Sequence, residues 1–202
     1  DHPHYLIKVE GDNNSVFNNT LVGRGTGFNS DRGILVQGET FSSGGGDGLS
    51  FFTNIKRNEI YGSCYGIDIA DDEPARIQDD AGIQCNYIHD NCKAISVRID
   101  CDLISPLGET VLRPLRYNHI ANSQFGGLQV EYRGSCDPLI DAIDNYWNDP
   151  SGPNVSNTGM PGVGDTIIGV PELRSNVKYD PWLTDAIDGE CPPQNDALIG
   201  DF

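Results

Sequence analysis

The 202-residue chain carries 30 acidic residues against 13 basic ones, a formal charge of -17. That balance excludes nucleic-acid binding through the phosphate backbone, which needs a basic surface that releases counterions. It suits cation binding or solubility at high ionic strength instead, and no apolar run reaches the length of a membrane span.

Asp1 in place of an initiator Met reads as a processed protein or an excised part of one. From residue 6 onward, helical periodicity is nearly absent and short strand-like apolar runs recur. One eight-residue pattern returns five times, at residues 16–23, 55–62, 83–90, 115–122 and 142–149. It consists of an apolar residue, two others, Asn, any residue, an apolar residue, any residue, then Gly, Asp or Asn. The Asn positions are Asn19, Asn58, Asn86, Asn118 and Asn145, separated by 27 to 39 residues. Each copy but the last is followed by an apolar alternation: Ile34/Val36, Ile67/Ile69, Ile95/Val97 and Leu128/Val130.

These spacings are too short for strand–helix–strand units with loops of this size. They predict an all-β parallel solenoid of about five coils over residues 1–149, each coil stacked on the next at about 4.8 Å and sharing one core. The repeated Asn side chains then form an internal ladder, each amide bonding the one above it. Trp147 takes the core position held in earlier copies by Leu21, Ile60, Ile88 and Ile120. The run DPSGP at 149–153 is expected to end strand pairing and release residues 150–202 as an irregular C-terminal cap. The N-terminal end lacks such a cap in this reading, because residues 6–9 already start a coil.

The ending NYW at 145–147, DPSGP at 149–153 and YDPWL at 179–183 resembles right-handed parallel β-helix repeat proteins, including NosD-like surface proteins and relatives of the pectate-lyase architecture. The resemblance runs from about residue 6 to residue 183. It implies a right-handed parallel β-helix and a secreted or cell-surface location. It assigns no activity, since this fold hosts many.

Alternation along the later strands gives three outward rows: Leu35, Asp68, Ser96, Gln129; then Gln37, Ala70, Arg98, Glu131; then Glu39, Asp72, Asp100, Arg133. Loops at 37–53, 70–81, 98–114 and 131–141 are expected to wall a groove beside them. Polysaccharide-processing β-helices resemble this arrangement, and the expectation is a module that binds or processes polysaccharide. Arg98, Asp100, Glu131 and Arg133 are the candidate catalytic groups, and Asp68 and Gln129 the candidate substrate contacts. Carboxylates one or two coils apart would be about 5 Å or twice that from each other, the span of glycosidase pairs. In a lyase-like alternative, Asp72 and Asp100 hold Ca²⁺ against an acidic sugar while an Arg assists proton abstraction. Arg98 with Glu131, and Asp100 with Arg133, also read as ordinary cross-strand charge pairs. The competing expectation is a structural surface, adhesin or filament protein that self-associates through its open first coil, or whose first coil continues a longer solenoid.

Six cysteines, an even number, point to a disulfide framework and an oxidising compartment. Cys64 and Cys92 each lie six residues after a ladder Asn and are expected to pair across neighbouring coils. Cys101 is expected to pair with Cys136, and Cys85 with Cys191. His89 and His119 fall near turns and read as surface residues.

Overall fold

The computed structural model describes residues 4–10, 14–27, 30–37, 53–69, 82–100, 111–112, 115–133, 139–155, 162–169, 177–187 and 191. Their strands in chain order are β1 (His4–Glu10), β2 (Ser15–Phe17), β3 (Thr20–Val22), β4 (Asp31–Gln37), β5 (Asn54–Lys56), β6 (Glu59–Tyr61), β7 (Tyr65–Ile69), β8 (Ile83–Gln84) and β9 (Tyr87–His89). They continue with β10 (Lys93–Asp100), β11 (Val111–Leu112), β12 (Leu115–Arg116), β13 (His119–Ala121), β14 (Gly126–Arg133), β15 (Leu139–Asp141), β16 (Pro153–Asn154), β17 (Gly164–Ile168) and β18 (Val177–Lys178). No helix occurs among the described residues.

Every pairing between these strands is parallel. The sheets run β1-β4-β7-β10-β14-β17-β16, β2-β5-β8-β12, β3-β6-β9-β13 and β11-β15-β18. The chain thus visits one sheet after another and returns to lay each new strand beside its counterpart in the previous repeat. Among the described residues no helix joins the parallel strands, and the two- and three-residue strands around each Asn follow one another through single tight turns.

Register aligns like with like. Ile7, Ile34, Ile67, Ile95, Leu128 and Ile167 form one column. Val9, Val36, Ile69, Val97 and Val130 form a second. Val16, Ile55, Ile83 and Leu115 form a third, and Leu21, Ile60, Ile88 and Ile120 a fourth. These columns meet in one core, and most of their members are fully buried. β-Branched side chains suit such stacked, two-sided environments. Gly66 marks where the chain crosses close beneath the core: a Cβ there would lie 2.6 Å from the Ala94 carbonyl oxygen and 2.7 Å from Ile88 Cγ2.

The asparagine ladder is present over its full length. Nδ2 of Asn19, Asn58, Asn86 and Asn118 each donates to Oδ1 of the next rung at 3.0 Å. The same oxygens accept the backbone N–H of the preceding rung at 2.9–3.1 Å. Asn145 is the last rung, its Nδ2 donating to the carbonyls of Leu115, Ala142 and Ile143. The residue before each rung (Asn18, Arg57, Cys85, Tyr117 and Asp144) has φ between 54° and 57°, the left-handed conformation that turns β2 sharply into β3 and likewise in each repeat. For Arg, Cys and Tyr this costs on the order of 1 kcal/mol or more, offset by the turn groups the Asn side chains satisfy.

Trp147 is fully buried, following Ile120 in its column as the bridge between His119 and Tyr146 requires. The proline run after it does not end strand pairing. β17 extends the longest sheet beside β14, and β18 extends another beside β15. Pro153 itself opens β16 beside β17, a first-residue position that tolerates proline, and residues 164–168 and 177–178 rejoin sheets whose edges still offer backbone partners. Short strands also occur in the expected loops, at 111–112 and 139–141. Asp144 N–H donates to Pro181 O at 2.7 Å, Leu183 N–H to Asn145 O at 3.0 Å, and Trp182 Nε1 to Pro150 O at 3.1 Å. The tail therefore closes over the last repeat.

Candidate functional site

The outward rows expected from the sequence are adjacent on the longest sheet, with Leu35, Asp68, Ser96 and Gln129 in register and Arg98 opposite Glu131. Their exposure is not as expected. Asp68, expected as a solvent-facing substrate contact, is 0% exposed, and Leu35 and Ser96 beside it are buried. Two guanidinium groups converge on the same carboxylate oxygen. Arg32 Nε, from the preceding strand, donates to Asp68 Oδ2 at 2.5 Å, and Arg98 Nη2, from the following strand, donates to it at 2.8 Å. Arg32 also donates through Nη1 to Ser30 O at 3.0 Å. The guanidinium of Arg32 and the ammonium of Lys93 lie 5.4 Å and 4.8 Å from the centre of the Tyr65 ring.

Asp68 thus serves as the acceptor for two guanidinium groups and is closed to solvent. Its second oxygen, Oδ1, has no hydrogen-bond partner among the described residues. Gln129 Nε2 donates to Glu131 Oε1, so the candidate substrate contact is turned toward its own strand neighbour. Asp100 and Arg133 oppose each other in register, and the described structure extends there only to the backbone. Asp72, the other candidate Ca²⁺ ligand, lies outside the described residues, as do Cys101 and Cys136. Among the described residues no group of three His, Cys, Asp or Glu side chains is placed to hold a metal ion.

The cysteines divide. Cys85 and Cys191 are joined, with Cα atoms 5.4 Å apart, so the tail is tied to the third repeat as expected. Cys64 and Cys92 are both buried and free, correcting the expected bridge. Their backbones are neighbours, since Lys93 N–H donates to Cys64 O at 2.8 Å. The Cys92 sulfur instead donates to Thr26 O at 3.2 Å. Burial, then the hydrogen bond shared with Cys92, pushes the Cys64 thiol up to about 12, far from the thiolate form that exchange requires.

A ring stack was not anticipated. Tyr61 and His89 lie 4.9 Å apart, His89 and Tyr87 4.0 Å, Tyr87 and His119 4.5 Å, and His119 and Tyr146 4.9 Å. His89 Nδ1 faces Asp90 Oδ2 at 2.7 Å and Nε2 faces Glu59 Oε1 at 3.4 Å. Burial, reinforced by the charges of Asp90 and Glu59, raises the Tyr87 hydroxyl above its usual range. The signal was available, because each of these rings sits directly beside a core position: Tyr61 beside Ile60, Tyr87 and His89 beside Ile88, His119 beside Ile120 and Tyr146 beside Trp147.

The opposite end of the molecule from the tail carries a different feature. Tyr5 and Leu6 are each 40% exposed, Phe17 45% and Val22 53%. Strands β1, β2 and β3 are the terminal strands of their sheets. Asn19 Oδ1 accepts no hydrogen bond from any described residue, although every later rung accepts two. β2 and β3 contain no charged residue and no proline, while β1 carries Lys8 and Glu10 paired to each other. Natural sheet edges are usually blunted by such residues.

No helix among the described residues is long and apolar enough to cross a membrane. Comparison with protein-family models, curated proteins and solved structures found no match to this chain.

Proposed function

We propose that the chain winds as a right-handed parallel β-helix of about five coils, closed by its C-terminal tail, and serves as a structural module of a secreted or cell-surface assembly. Its working surface is the open edge of the first coil. The observation that carries this reading is the contrast between the ends: the tail covers the last repeat, while β2 and β3 are terminal strands without charged residues, with Phe17 and Val22 exposed, in a chain of charge -17. Like charge keeps copies apart everywhere else, so the uncharged edge is where another β-structure can dock by strand addition. Light scattering over a wide concentration range, together with amide hydrogen exchange in the presence of added strands, tests the reading. Association or edge protection is expected, and is expected to be lost in the Phe17→Lys, Val22→Lys double variant. A chain that stays monomeric and gains no protection from any added strand refutes it.

A second reading, polysaccharide binding, draws on Arg32, Lys93 and Arg98, three cations gathered on one outer sheet face of an acidic chain. They suit an acidic glycan rather than a neutral one, with Ca²⁺ bridging where carboxylates approach. Binding of a uronate oligosaccharide, weakened by Arg98→Ala and altered by Ca²⁺, is the expected outcome; indifference to a broad panel of acidic glycans removes this reading.

A further inference from the structure

Three Asn-X-Ser/Thr triplets occur in the chain, at Asn13, Asn18 and Asn154, and only Asn18-Asn19-Thr20 falls wholly within the described residues. Such a triplet is an acceptor for an N-linked glycan when its Asn lies at the surface and X is not Pro. The two asparagines of this triplet differ in what their amides do. The Asn19 amide is spent inside the ladder, on Phe17 O at 2.9 Å and Asn58 Oδ1 at 3.0 Å. Asn18 is exposed, and its side chain makes no hydrogen bond to any described residue. Its φ of 54° places it at the corner where β2 turns into β3. Thr20 is exposed too, its hydroxyl 3.5 Å from Glu59 Oε2.

That exposure does not depend on Asn18 standing in the first described coil. Arg57 occupies the same corner one repeat on, with a coil on either side: Asn18 N–H donates to Lys56 O and Arg57 N–H to Gln84 O, each at 3.3 Å. Arg57 is nonetheless exposed, so a side chain at this corner can leave sideways past its neighbours. Cys85, at the corner after that, is buried and bonded to Cys191 of the tail, and Tyr117 and Asp144 are half-buried. The corner thus accepts large groups. Tolerance of the left-handed conformation accounts for Asn at this corner but not for Thr20, whose column in later repeats carries Glu59, Tyr87, His119 and Tyr146. Going beyond the end-on reading and sharing with it only the secreted location, we propose that Asn18 is an N-glycosylation site. Its Nδ2 gives up one proton and bonds to C1 of the first sugar of a lipid-phosphate-linked oligosaccharide. The C1–O bond breaks, and the lipid phosphate leaves with the electron pair. The folded coil leaves the product in solvent, because nothing among the described residues covers Asn18.

The test follows the sugar on the whole chain. The protein is secreted from a eukaryotic host behind a cleavable leader, and the Cys85–Cys191 bridge, mapped by peptide mass, certifies passage through the oxidising compartment. Glycopeptide mass spectrometry, with and without peptide N-glycosidase, is the readout. A glycan on Asn18 is expected, lost in Asn18→Asp and in Thr20→Ala, and kept in Thr20→Ser. Asp is the residue type that Asp144 places at the same corner, so the first variant keeps the turn. A bridged, secreted chain with Asn18 bare overturns the proposal, and so does sugar on this peptide that persists in Thr20→Ala. Neither result touches the strand-edge reading, which light scattering and hydrogen exchange decide on the unglycosylated chain.

Discussion

Replacing Asn86 by Leu removes a central rung of the ladder, with four side-chain hydrogen bonds, and measures what the ladder contributes. Asn86 is almost fully buried. Its Nδ2 donates to Ile55 O at 2.8 Å and Asn118 Oδ1 at 3.0 Å, and its Oδ1 accepts Asn58 N–H and Asn58 Nδ2, each at 3.0 Å. Leu has the same number and branching of side-chain heavy atoms but bulkier methyl groups, so no cavity is left and polar loss, with some overpacking, dominates. Not all four bonds are equal. Asn118 Oδ1 keeps the Asn86 backbone N–H, and Asn58 Nδ2 keeps Val16 O and Lys56 O. Of the partners, Asn58 N–H and the Ile55 side of the bond are the ones that lose their ladder contact. At about 1–3 kcal/mol for each unsatisfied buried group, the variant should lose roughly 2–6 kcal/mol, less a fraction returned by burying the Leu methyls. That is a large share of the roughly 5–15 kcal/mol that holds a typical domain folded. Urea unfolding followed by circular dichroism gives the value, and the midpoint should fall with little change in slope. Asn19→Leu is the internal control: at the open rung it should cost only about 1 kcal/mol. Loss of less than 1 kcal/mol at Asn86, or equal losses at both rungs, would refute a ladder that works by satisfying buried backbone groups.

Three further outcomes follow from the same geometry. Burial holds the Asp165 carboxyl above its usual range against the lowering effect of Ser123 N–H. Its ionisation thus weakens the fold as pH rises from about 4 through that raised value, so Asp165→Asn should stabilise at neutral pH and change nothing in strong acid; a variant less stable at pH 7, by chemical denaturation, contradicts this. Cys64 and Cys92 should resist iodoacetamide at pH 8 in the folded protein and react on unfolding, as mapped by peptide mass; rapid labelling of the native chain contradicts their burial. Trp147→Ala should cost about 3–5 kcal/mol through the cavity left at the end of the core, with loss of the blue-shifted indole emission; a near-neutral effect would mean the tail, not the indole, seals the core.

The ladder and the core columns were legible because the same chemistry recurs at the same offset. Each rung Asn sits two residues before a core position, and parallel register copies that offset through the stack. Asp68 was legible only as an outward position. Nothing in the local pattern reveals that Arg32 and Arg98, 36 and 30 residues away, bring their guanidinium groups onto it. Asn91 was missed for a related reason. It performs a second, shorter version of the ladder, accepting Ser63 N–H at 3.0 Å and donating to Ile60 O at 3.0 Å, but its counterparts are Ser63 and Ser123, so identity does not repeat where function does. The strands from residue 153 onward were hidden by Pro150 and Pro153, because proline argues against a central strand yet is tolerated at the first residue of one, as in β16.

The uneven repeat lengths have a consequence for how such a chain can change. Twenty-seven residues separate Asn118 from Asn145 and thirty-nine separate Asn19 from Asn58, yet each step of the ladder closes at 3.0 Å. Axial advance is set by strand spacing and is indifferent to how much chain is spent between strands. The segments joining β4 to β5 and β7 to β8 can therefore lengthen, shorten or exchange sequence without moving any rung. The frame works as a rack of fixed pitch on which the displayed surface is replaceable.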